Sequence, residues 1–139
     1  MVETSLVESD IESGRALLDE LKKSDSRFST PHFLVRSAFW LYRPEGSSWR
    51  LFIATPLVDQ RGTTSAYGDV QGILRSLDKP LSISLKDISV VSPNDKLVKA
   101  MKKTALVPSN VKGVRLTRTR VDDTYIEGAY VYRLANGQS

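Results

Sequence analysis

Two apolar runs joined by a short polar turn constrain this chain more than anything else in it. Residues 31–59 read PHFLVRSAFWLYRPEGSSWRLFIATPLVD and hold both tryptophans. In the first run, Phe33, Val35, Ser37, Phe39 and Leu41 alternate with Leu34, Arg36, Ala38, Trp40 and Tyr42. Both sets are largely apolar. Period-two alternation then gives a strand covered on both faces, which belongs in the middle of a sheet. Residues 44–48, PEGSS, have turn chemistry. Residues 49–55 return as a second strand, and Pro56 ends it because it has no N–H to donate. A chain built around this hairpin must make a sheet, and its helices must cover it.

The flanking segments supply those helices. In residues 5–23, Leu6, Val7, Ile11, Leu17, Leu18 and Leu21 recur at helical spacing, interrupted by Asp10 and Gly14. Ser5 with Glu8, or Ser9 with Glu12, makes a capping box at the start. Residues 58–63 read as a loop. Thr63 or Thr64 then caps a second helix to Leu77, with Tyr67, Val70, Ile73, Leu74 and Leu77 as its buried stripe. Gly68 and Gly72 either weaken this helix or let it pack closely. Residues 81–91 form a third strand. Ser92, Pro93 and Asp95 read as cap, first helical position and first-turn acid of a third helix reaching Thr104. Residues 113–121 and 124–134 form a second hairpin about Asp122 and Asp123. The order α-β-β-α-β-α-β-β predicts an α+β fold of one domain over residues 1–139. It has a mostly antiparallel five-stranded sheet with three helices mainly on one face.

Composition narrows the chemistry. The chain has 139 residues and no cysteine, so disulfides, thiolate metal sites and a cysteine nucleophile are excluded. Its single histidine, His32, follows Pro31 at a strand start. A His-rich metal site is impossible, and a Ser-His-Asp arrangement would have to use His32. No phosphate-binding glycine loop, Walker lysine or metalloprotease helix is present. The sequence therefore predicts no metal and no cofactor, and leans away from an enzyme. No apolar run approaches the roughly 20 residues of a membrane helix. Residues 1–14 are acidic where a secretory signal begins basic, so the expectation is a cytoplasmic protein with no membrane partner.

The net charge of +4 is unevenly spread, with surplus acid in residues 1–30 and surplus base in residues 92–139. Three surfaces follow from this. The loop of Asp59, Arg61, Gly62, Thr63 and Thr64 leaves a strand and enters a helix. A helix N-terminus there offers N–H groups to a small anion, with Arg61 as clamp; the same residues also read as an ordinary turn and cap. Lys96, Lys99, Lys102 and Lys103 line one side of the third helix, opposite Leu97, Val98 and Met101. They read as a solvated face or as a phosphate-binding stripe. The C-terminal hairpin is the third. With a two-residue turn, Arg118 faces Glu127, Leu116 faces Ala129 and Val114 faces Val131. Its other face carries Arg115, Thr117, Thr119, Ile126, Tyr130 and Tyr132, with Arg115 across from Tyr130.

The motifs Ala38-Phe39-Trp40, Trp49-Arg50-Leu51, Ala54-Thr55-Pro56-Leu57-Val58-Asp59 and Gly62 with Ala66-Tyr67 resemble those of a group of small uncharacterised bacterial proteins. The likeness covers about half of the chain and extends to a leading amphipathic helix. It implies no activity and directs attention to Asp59 and its loop.

Three functions are consistent with these residues. The first is a non-enzymatic interaction module. If helices cover one sheet face, some of Trp40, Tyr42, Tyr130 and Tyr132 lie on the other, where a second copy would dock to give a homo-oligomer. The second is nucleic-acid binding by Arg115, Arg118, Arg120, Lys99 and Lys103, with Tyr130 and Tyr132 as stacking groups. The third is an enzyme or binder for an anionic small molecule at residues 59–65.

Overall fold

The structure is a computed structural model that describes residues 8–27, 35–43, 45–46, 48–77, 81–104, 114–121 and 124–134. Ser5, His32, Asp122 and Asp123 lie outside the described residues. The elements run α1 (Glu8–Arg27), β1 (Ser37–Arg43), β2 (Ser48–Ala54), α2 (Leu57–Arg61), α3 (Thr63–Ser76), a 3₁₀ turn (Leu85–Asp87), β3 (Ile88–Val91), α4 (Lys96–Thr104), β4 (Val114–Val121) and β5 (Thr124–Leu134). The fold is α+β, as expected. Compared with the predicted order there is one additional helix, α2, where a loop was expected.

Five strands form one sheet in the order β3-β2-β1-β5-β4. β1 is its central strand, as the two apolar faces of that run require. Every pairing is antiparallel except β2 with β3. A parallel neighbour needs a long crossover. α2, α3 and the 3₁₀ turn supply it. Only Ile88–Val91 of the expected third strand is extended. Ahead of it, Ser84 and Asp87 close a reciprocal capping box around the 3₁₀ turn.

Helices lie on both faces of the sheet, which corrects the one-sided arrangement. Ile11, Leu17 and Leu21 of α1 and Ala66 and Val70 of α3 pack with Ala38, Trp40, Leu51, Ile53, Ile88 and Val90. Val98 and Met101 of α4 pack with Phe39, Leu41, Phe52, Ala54, Ala129 and Val131 on the opposite side. The reason is visible in β1 and β2. Each presents large apolar groups to both sides, and fully burying one such side chain is worth about 1.5–3 kcal/mol. Leaving either face bare forfeits several of these.

α1 meets the sheet at a glycine. A Cβ on Gly14 would overlap the Tyr132 hydroxyl and lie 3.2 Å from the Trp40 indole nitrogen. Gly14, which breaks the apolar stripe, is therefore where the helix approaches the sheet most closely. Beyond it, Ser13 and Asp10 bond Ser82, at 3.0 and 2.7 Å, and tie α1 to the segment ahead of the 3₁₀ turn.

Two irregularities bend β5. Opposite β1 the register slips between Ala38 and Phe39, so that Tyr132 is an extra residue in the β5 strand. Opposite β4 the expected two-residue register holds, with Val114 across from Val131, Arg115 from Tyr130 and Leu116 from Ala129. Arg118 does not join that ladder and sits at φ 45°. Past this break Ile126 packs in the α4-side cluster, not beside Tyr130 as strict alternation expects.

Candidate functional site

The first expected site sits where the parallel pair ends. Ala54 and Val91 are register partners, and the Thr55 N–H continues the ladder to the Val91 carbonyl at 2.9 Å. Thr55 is fully buried, and its hydroxyl accepts the Leu57 N–H at 3.2 Å, turning the chain into α2. The last turn of α2 closes on the Gly62 N–H, which donates to Val58 at 3.0 Å. The Gly62 carbonyl then accepts from Ala66 at 3.3 Å and opens α3. At φ 92° and ψ 161°, this position is one that only glycine adopts without strain.

Thr63 and Thr64 therefore do not cap α3; Gly62 occupies the cap position and no side chain bonds there. Both threonines lie in the first helical turn, exposed, as are Asp59, Arg61 and Gly62. The Asp59 carboxylate accepts the Ser92 hydroxyl at 2.8 Å. Ser92 is the partner that sequence reasoning missed, because it comes from the end of β3 across the parallel junction. Its hydroxyl also accepts the Asn94 N–H at 3.0 Å. It does not cap α4; Asp95 does, accepting the Leu97 N–H at 2.9 Å. This corner is a hydrogen-bonded junction of two strand ends and two helix starts. It carries a carboxylate at its centre, which disfavours an anion. Among the described residues no cluster of histidine and carboxylates is arranged to hold a metal.

The aromatic sheet face is not a surface. Trp40 is 1% exposed, Tyr42 7%, Tyr130 9% and Tyr132 5%. α1 covers the two β5 tyrosines. The Tyr132 hydroxyl accepts the Trp40 N–H at 2.8 Å and donates to the Ile11 carbonyl at 2.6 Å. Burial holds its proton well above the ordinary phenol range, with Tyr130 and Glu12 adding to the shift and Trp40 and Arg15 opposing it. The Arg15 guanidinium lies over the Tyr132 ring and donates to the Tyr130 hydroxyl at 3.5 Å. Tyr42 stacks at a tilt on Trp49, and the Trp49 ring reaches over Gly128. Every one of these aromatics is spent inside the molecule.

The basic residues fare differently. Arg118 and Arg120 of β4 are exposed, as are Lys96, Lys99 and Lys103 of α4. α4 packs against β4 and β5, so the two sets lie on neighbouring elements. Arg120 pairs across the ladder with Tyr125, and its guanidinium stands 5.9 Å from the centre of that ring. Tyr125 is 51% exposed, and it stands out for this among the large apolar side chains of the described residues. Sequence reasoning passed over it in favour of Tyr130 and Tyr132. The signal was its position: it is the second residue of β5, well along the strand from Tyr130 and Tyr132, which α1 covers. Arg115 faces Tyr130 in register, as expected.

No family model matches the chain, and no curated protein and no solved structure matches it. The functional reading rests on the geometry described above.

Proposed function

We propose that the protein is a non-enzymatic binding module for a polyanion, with nucleic acid as the partner its chemistry suits best. The surface is the basic region made by α4 and the β4–β5 hairpin. The observation that supports this reading is the exposed set Lys99, Arg118 and Arg120 on neighbouring elements, joined by Lys103 and by an exposed tyrosine. Cations carried on neighbouring elements neutralise phosphates and release counterions on binding. A cysteine-free composition suits a reducing compartment such as the cytoplasm.

Self-association draws less support. The aromatic face expected to carry it is buried beneath α1. Strand addition is a further route at the two edges, β3 and β4. At β3 the Tyr67 hydroxyl takes the Val90 N–H. The longer edge strand, β4, pairs with β5 alone among the described strands. That edge carries three arginines, and its ladder breaks at Arg118. Edge charges and ladder breaks both oppose pairing with another copy.

A mobility-shift titration at several salt concentrations tests the reading. Binding falls steeply with salt, and Arg118→Ala and Arg120→Ala each weaken it while lowering the log–log salt slope by about 1. Absence of binding to duplex, single-stranded DNA and heparin at low salt would sink the proposal.

A further inference from the structure

Tyr125 does something the cations beside it do not require. A surface that only neutralises phosphates needs no aromatic ring, and a half-exposed ring costs apolar hydration. Here the ring is held in place by its ladder partner. Arg120 lies opposite it, with the guanidinium against the ring. Arg118 lies two residues away on the same strand and is exposed as well. It lies at the point where the strand leaves regular geometry. An aromatic ring beside a guanidinium group is the combination on which an unpaired base stacks while its phosphates are neutralised alongside. Bases inside a duplex are already stacked on one another and cannot reach such a ring.

We infer that the Tyr125–Arg120 pair is a stacking platform, and that this surface binds single-stranded nucleic acid in preference to duplex. The inference rests on the polyanion reading above and narrows it. It assigns Tyr125 the base and the exposed Arg118 and Arg120 of β4 the backbone. It requires no base-specific hydrogen bond, so sequence preference is weak.

Fluorescence anisotropy on the full chain tests it, using a labelled thymidine oligomer of about 16 nucleotides, a duplex of the same length and heparin as competitor. The expected result is tighter binding to the single strand than to the duplex. Tyr125→Ala loses roughly tenfold or more on the single strand, the loss of one base–aromatic stack, and changes duplex and heparin affinity little. Tyr125→Phe keeps the single-strand affinity, since the ring and not the hydroxyl does the stacking. An unchanged melting curve for both variants shows that the fold is intact. Equal affinity for single strand and duplex overturns the inference, as does equal loss on all three ligands in Tyr125→Ala. Binding to heparin with none to either nucleic acid also overturns it, while leaving the polyanion reading standing. Failure to bind all three removes both.

Discussion

The Trp40 indole N–H donates to the Tyr132 hydroxyl at 2.8 Å, joining β1 to β5 where α1 crosses the sheet. The hydroxyl in turn donates a hydrogen bond to the Ile11 carbonyl at 2.6 Å, so one buried oxygen joins β1, β5 and the first helix. The bulge that makes Tyr132 an extra residue in β5 places it there.

Tyr132→Phe leaves the Trp40 N–H buried without that acceptor and costs about 1–3 kcal/mol. The cost depends on pH. Burial raises the phenol above its ordinary 10.0, so the folded state holds this proton more tightly than the unfolded chain does. The contribution is complete below that ordinary value and fades as the pH climbs past it, by at most about 1.4 kcal/mol per unit. Urea unfolding of both proteins between about pH 9 and 11 checks this: the gap between wild type and Tyr132→Phe should close toward the alkaline end. A gap that stays constant contradicts the assignment.

Gly14→Ala destabilises the protein, although alanine is the better helix former by about 1 kcal/mol. A Cβ there meets the Tyr132 hydroxyl, with the Tyr132 ring 3.0 Å away, and overpacking of this kind costs about 1–3 kcal/mol. Gly68→Ala in α3 makes the contrast. Nothing lies within 4 Å of its Cβ, so the same substitution stabilises by up to about 1 kcal/mol. Thermal melts of the two variants should move in opposite directions.

Much of the sheet was legible, and the reason is alternation. The two apolar faces of residues 37–42 put β1 at the centre, and the expected β4–β5 register holds for Val114, Arg115 and Leu116 but not for Arg118 with Glu127. The same residues held the warning against one-sided cover, because Phe39 and Leu41 need a roof as much as Trp40 does. What alternation cannot supply is an inserted residue. The bulge at Tyr132 and the break at Arg118 decide which tyrosines lie under α1 and which stays outside. Neither leaves a mark in the residue types. Gly14 is similar: as a letter it interrupts a stripe, and only the bulky partner opposite gives it a role. The Asp59–Ser92 bond depended on the parallel pairing of β2 with β3, which hairpin logic did not reveal.

Tyr67→Phe should loosen the outer edge of β3. The Tyr67 hydroxyl accepts the Val90 N–H at 3.0 Å and reaches the Ile88 carbonyl at 3.5 Å. β3 is an edge strand, so this phenol stands where a neighbouring strand would bond. Removing it costs about 0.5–1.5 kcal/mol. The direct reading is hydrogen exchange at the Val90 amide, which should lose protection by more than the global stability change. Unaltered protection there would show that the edge is guarded by something else.

Arg118 separates stability from binding. At φ 45° it occupies left-handed backbone, which costs a side chain with a Cβ roughly 1–2 kcal/mol and costs glycine almost nothing. Glycine in turn loses more backbone entropy on folding, about 0.5–1 kcal/mol. The first term is the larger, so Arg118→Gly stabilises the protein by about 0.5–1 kcal/mol in chemical denaturation. Arg118→Ala keeps the backbone cost and gains nothing, so it should be no more stable than the wild type. Both remove the guanidinium, and both should weaken polyanion binding equally. Equal affinities with unequal stabilities place the charge, and not the local backbone, in the contact; a variant pair whose affinities instead follow their stabilities shows that Arg118 acts only through the shape of the β4 edge.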